Sequence, residues 1–157
     1  MPTAPYNSLR TKHAPFLLIG SFASSPPGRT PLGACRLIGA VEAGFPSPAE
    51  EELVDTLSLD EMLITNREAS FLLKVAGDSM TGAGIMPEDL VIVERGRTPK
   101  SGDIVIAEVD GQWTMKYLRK RGERVILVPS NPKYQTITPK NELKIAGVVT
   151  AVVRKYK

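Results

Sequence analysis

A chain of 157 residues, 42% hydrophobic and 24% charged, is long enough to bury a core without disulfide staples and reads as one ordinary domain plus a tail. Its net charge of +3 is mild; its one cysteine, Cys35, offers neither an internal bridge nor metal-ligand spacing, which fits a reducing compartment. The one histidine, His13, stands far from any domain-like segment, so a Ser-His-Asp triad is disfavoured, and no run approaches the roughly 18 apolar residues of a membrane span.

The first 43 residues hold six prolines, and Ser24-Ser25-Pro26-Pro27-Gly28 reads as linker. Proline at this density removes amide donors and blocks long helices, so the tail is expected to be extended or mobile. Ala14 to Gly20, after Arg10 and Lys12, imitates a signal peptide with Ser21 and Ala23 placed like a cleavage site. Its apolar core is short and broken by Pro15; an apolar arm packed against its own domain explains the same residues. From Glu42 to Glu61 there are seven acidic residues and no Lys or Arg, whereas Arg95 to Lys157 holds fourteen basic residues against five acidic. Solvated surface accounts for most of these charges, and docking of the acidic segment on a basic face is the sharper alternative.

Ser58, with Glu61 three residues on, is a capping-box pattern that predicts a short helix over Leu59 to Ile64. Strand-like runs follow at Phe71–Ala76, Leu90–Val93, Ile104–Val109, Trp113–Leu118, Val125–Val128 and Ile145–Val153, punctuated by turn residues. Asp110-Gly111 is the strongest hairpin signal. Six closely spaced short strands predict a compact, mainly antiparallel β domain, a partly closed barrel being one form it can take. The basic group Arg119-Lys120-Arg121 with Arg124 reads as a solvated hairpin turn.

Two residues in this β region carry chemistry. Ser79 lies in the small-residue turn Gly77-Asp78-Ser79-Met80 after an apolar run, and Lys116 lies 37 residues later inside another. A serine hydroxyl needs a base, and lysine serves only when neutral, which desolvation favours by penalising the ammonium. Thr114, Lys116 and Leu118 share one strand face, so Lys116 is buried if that face turns inward. Gly77 permits a tight corner, Gly82 and Gly84 keep the next loop lean, and amides near Ser79 can face an oxyanion. Asp78 reads as a turn-ordering residue. Singly, a serine here is most often a turn residue, and a lysine most often carries its amine to solvent.

Gly44-Phe45-Pro46-Ser47-Pro48, Gly77-Asp78-Ser79-Met80, Gly84-Ile85, Gly102-Asp103-Ile104-Val105, Lys116 and Pro129-x-Asn131-x-x-Tyr134 stand in family order. They closely resemble the UmuD-type mutagenesis proteins, which belong with the LexA-like self-cleaving serine proteins. The resemblance runs from about Ala43 to the C-terminus. It implies a mainly β fold like the LexA C-terminal domain, with a mobile N-terminal arm and one short helix. It further implies Ser79 as nucleophile, Lys116 as general base and Ala43-Gly44 as the bond cut, with Gly77, Asp78 and Met80 supporting the turn and the oxyanion. Cleavage divides residues 1–43, the arm, from 44–157, the peptidase domain; small residues flanking the bond suit a shallow cleft, and Gly44 adopts strained angles cheaply. No metal or cofactor is implied. The expected partners are a second copy in a homodimer, a RecA filament on single-stranded DNA as co-protease, and a Y-family, UmuC-like polymerase, all in bacterial cytoplasm. Two departures stand out: the tail before the bond is longer than in UmuD-like proteins, and Glu88-Asp89 replaces the Gly-Asp that often follows the Gly-Ile element.

Three alternatives compete. A LexA-like repressor needs a DNA-reading module, which 43 proline-rich residues cannot supply. A signal-peptidase-like enzyme needs a membrane anchor. A binding module with an inert Ser/Lys pair is the hardest to exclude by sequence, because burial of Lys116 is there an inference.

Overall fold

The computed structural model describes residues 16–21, 34–37 and 55–157. Nine strands and one short α-helix are formed among them: β1 (Phe16–Ser21), β2 (Ala34–Leu37), β3 (Asp55–Ser58), α1 (Leu59–Leu63), β4 (Ser70–Val75), β5 (Leu90–Glu94), β6 (Ile104–Val109), β7 (Gln112–Arg121), β8 (Arg124–Val128) and β9 (Leu143–Val153). Seven strands build one antiparallel sheet in the order β1-β4-β5-β9-β6-β7-β8, while β2 and β3 pair separately. The mainly β fold with one short helix is the one expected, and all six predicted strands are present within a few residues of their predicted limits.

Alternation along the strands divides the core. In β6, Ile106 belongs to a cluster with Phe71, Val91, Val93 and Met115; its neighbours Val105 and Ala107 belong to a second, with Leu118, Leu127 and Val148. Side chains on a strand point alternately to opposite faces, so both faces of β6 are apolar and both are covered. The β6–β7 hairpin closes at Asp110-Gly111, where φ is 47° and 81°, the paired left-handed residues of a turn whose twist matches the strands. β9 carries two register shifts, one against β5 and one against β6. At the first, the Thr150 hydroxyl donates to the Ile92 carbonyl at 3.3 Å, and such bulges bend a long strand.

One finding departs from the sequence reading and two refine it. Residues 16–21, the apolar run that an arm packed against its own domain explains, form β1 along the outer edge of β4, from Phe16 opposite Val75 to Ser21 opposite Phe71, and residues 34–37 form β2, paired with β3. Ser58 stands at the N-cap of α1, yet its hydroxyl makes no cap hydrogen bond. Ser58 is also the last residue of β3 and is buried, so strand pairing rather than a capping box sets where the helix begins. Glu88, where the family often has glycine, keeps the left-handed backbone that glycine favours, with φ 75°. Backbone bonds from Glu88 N to Val75 O (2.9 Å) and from Val75 N to Asp89 O (2.8 Å) hold that turn. No helix among the described residues is long and apolar enough to cross a membrane.

Candidate active site

The end of β4 and the first half of β7 form the two sides of a cleft of about 190 Å³, lined by Gly77, Ser79, Trp113, Lys116 and Tyr134 among others. On the first side the chain leaves Val75 and turns at Gly77, whose φ of 115° would strain any residue with a Cβ. Met80 then plunges into the core at 2% exposure, and a short 3-10 turn follows at Thr81–Ala83. Ser79 is fixed between the Gly77 corner and the Met80 anchor. Its carbonyl accepts from Ser130 N at 2.9 Å, while Gly82 N donates to Ser130 O at 2.6 Å, so the 130 loop is stitched to the serine and to the turn that follows it. Gly82 has no room for a side chain: a Cβ there would lie 2.4 Å from the Ser130 carbonyl oxygen.

On the second side, Lys116 lies opposite Val105 in the β6–β7 ladder and is 6% exposed. Its Nζ donates to Ser79 Oγ at 2.8 Å, to Thr114 Oγ1 at 2.8 Å and to the Met115 carbonyl at 3.0 Å. All three acceptors are uncharged, and Lys116 forms no ion pair among the described residues. No opposite charge therefore offsets the cost of holding an ammonium away from water, and burial lowers the Lys116 pKa below the ordinary lysine value.

The structure thus brings Ser79 and Lys116 together and places Gly77, Asp78 and Met80 around the serine. Asp78 ties the turn to the 130 loop. Its carboxylate accepts from the Tyr134 hydroxyl, and Asn131 Nδ2 donates to its carbonyl at 2.8 Å. The Tyr134 bond is the main cause that holds the Asp78 carboxyl below its usual value. Among the described residues the amides of Ser79 and Met80 donate to no acceptor. Ala43 and Gly44 lie outside the described residues.

Thr114 and Ser130 were not singled out as site residues, and Asn131 and Tyr134 appeared only as members of a motif. Alternation did put Thr114 on the Lys116 face, and that was the available signal for its bond to Nζ. Further out, Asp89 is buried at 3% exposure. Arg154 donates to both its carboxylate oxygens at 2.6 Å and to the Gly84 carbonyl at 2.7 Å, tying the end of β9 to the loop after the serine.

A family model described as Peptidase S24-like matches residues 36–150. Protein SamA of Salmonella typhimurium is 44% identical over 115 residues, covering 73% of this chain and 81% of that protein. Protein ImpA of Escherichia coli is 41% identical over 117 residues, 74% of this chain and 80% of ImpA. The LexA repressor of Acidothermus cellulolyticus is 40% identical over 122 residues, 78% of this chain but 44% of the repressor. Fold and comparisons together define the class, a β domain of the self-cleaving serine peptidase kind. The chain belongs to the Peptidase S24-like family, and its likeness to UmuD-type proteins holds at that level.

Proposed function

We propose that this protein is a self-processing accessory subunit of SOS mutagenesis that cuts its own Ala43-Gly44 bond. The observation that carries this function is the 2.8 Å contact between Lys116 Nζ and Ser79 Oγ, at a lysine that is 6% exposed. A neutral amine has two N–H groups and one lone pair. The Met115 carbonyl and Thr114 hydroxyl take the two N–H groups, which leaves the lone pair for the Ser79 proton.

Ser79 Oγ attacks the Ala43 carbonyl carbon as Lys116 takes the hydroxyl proton. Free amides at the Gly77-to-Met80 corner receive the charge that develops on the carbonyl oxygen. The C–N bond then breaks, and Lys116 returns the proton to the departing Gly44 amine. Water, deprotonated by Lys116, hydrolyses the Ala43 ester and regenerates Ser79. The products are residues 1–43 and 44–157.

Likeness to UmuD-type proteins supports the wider setting: a homodimer in bacterial cytoplasm, cleavage stimulated by a RecA filament on single-stranded DNA, and a processed form that joins a UmuC-like, Y-family polymerase. Incubating the pure chain with RecA, ATP and single-stranded DNA, then measuring fragment masses, tests the function. A new N-terminus at Gly44 is expected, absent from Ser79→Ala; an intact wild-type chain refutes it and points to an inert binding module. A gel shift on duplex DNA separates the accessory role from a repressor role, with no sequence-specific shift expected.

A further inference from the structure

Tyr134 stands at the mouth of the cleft, 44% exposed. Its hydroxyl donates to Asp78, the residue before Ser79. Its ring centroid is 6.0 Å from Lys116 Nζ. The loop that carries it is bound to the same corner twice more, through Asn131 Nδ2 to the Asp78 carbonyl at 2.8 Å and through Ser130 N to the Ser79 carbonyl at 2.9 Å. One side chain therefore holds the carboxylate of the residue before the serine and also walls the amine that would activate it.

The geometry points to Tyr134 as a positioning residue for self-cleavage: its hydroxyl latches the Asp78-Ser79 corner and its ring shields the Lys116 amine from water. The inference rests on the Ser79 and Lys116 roles proposed above. A purely architectural staple is a poorer account, because Tyr134 is exposed and Asp78 only half-buried, and hydrogen bonds between side chains that water reaches add little to stability. What such a bond can control is the setting of the neighbouring serine, where small displacements cost much rate.

Around Lys116 Nζ stand the Ser79 and Thr114 hydroxyls, the Met115 carbonyl and the Tyr134 ring. The charged groups at the serine corner are Asp78 and Lys133, whose amine lies 4.0 Å from the Asp78 carboxylate. With the ring gone, water reaches Nζ, which favours the ammonium and so raises the pH at which Lys116 becomes a base. The Asp78 bond also raises the Tyr134 pKa above its ordinary 10.0, so the latch keeps its proton in the alkaline range where Lys116 loses its own.

The test compares full-length wild type, Tyr134→Phe, Tyr134→Ala, Asp78→Ala and the Asp78→Ala/Tyr134→Phe double variant. Self-cleavage rate is followed from pH 7 to about 10.5, alongside thermal melts. Tyr134→Phe keeps the ring and loses the latch, so cleavage slows about tenfold with the pH midpoint unmoved. Tyr134→Ala slows it about a hundredfold and moves the midpoint upward, while melting within a few degrees of wild type. Adding Tyr134→Phe to Asp78→Ala costs nothing further, because the two share one bond. If Tyr134→Ala unfolds, the Phe variant and the double variant decide. A wild-type chain that never cleaves removes the Ser79 and Lys116 assignment and this role with it. A wild type that cleaves, matched by Tyr134→Phe in rate, overturns the positioning role alone.

Discussion

Replacing Gly82 with alanine puts a methyl group 2.4 Å from the Ser130 carbonyl oxygen and 2.7 Å from its hydroxyl. Ordinary contact begins near 3.4 Å, so the 130 loop must retreat by about 1 Å, an overpacking of roughly 1–3 kcal/mol. That retreat stretches Gly82 N to Ser130 O and Ser130 N to Ser79 O, each worth about 1 kcal/mol. Together the loss is about 3–5 kcal/mol, read as a lower urea midpoint at unchanged slope. Because the second of these bonds holds the nucleophile's own carbonyl, the serine shifts too, and a displacement near 1 Å costs about a hundredfold in rate. Gly82→Ala should therefore be both less stable and nearly inactive in self-cleavage, at a position with no chemistry of its own. A variant within about 0.5 kcal/mol of wild type that cleaves at the wild-type rate would refute this account of how the serine is held.

Glu88→Gly relieves a left-handed backbone and should raise stability by about 1 kcal/mol in urea unfolding, leaving cleavage unchanged. Asp89→Asn removes the charge that Arg154 clasps and should cost about 2 kcal/mol at neutral pH. Arg154 lowers the Asp89 pKa, so that contribution is present above the free value of 3.8 and is lost as pH falls through the lower folded value. Wild type and variant should converge in acid unfolding. Lys116→Met should abolish cleavage yet stabilise the fold at pH 7 by roughly 1–2 kcal/mol, since a buried amine without a counter-charge is removed from the interior. Burial lowers the Lys116 pKa, so between its folded value and the free 10.5 the unfolded chain holds more protons and wild-type stability rises with pH. The advantage of methionine, followed by melts from pH 7 upward, should shrink toward pH 10.5.

The β scaffold was legible because its strands are local, β-branched runs bounded by strong turn residues, as at Asp110-Gly111. The pairing of β1 with β4 was not: Phe16 and Val75 are opposite one another but far apart in sequence, and a short run after Pro15 looks the same whether it is a leader, an arm or an edge strand. Ser58 misled because a capping box is a statement about side chains, and strand pairing had already taken that residue. Ser79 and Lys116 could be paired from the motif order, whereas Tyr134, Asn131 and Ser130 gain meaning only when the fold lays the 130 loop on the serine. Glu88 is the converse case. Its sequence departs from the family, and its backbone does not.

Lys116 itself offers the most direct measurement. In full-length Ser79→Ala, which cannot cut itself, the 13Cε resonance of Lys116 can be titrated and compared with the pH profile of wild-type self-cleavage. The amine should lose its proton below the pH of free lysine, at the pH where wild-type cleavage reaches half its maximum. A Lys116 resonance that titrates like a free lysine, while the wild-type chain cleaves at neutral pH, would contradict the role of this amine as the base for Ser79.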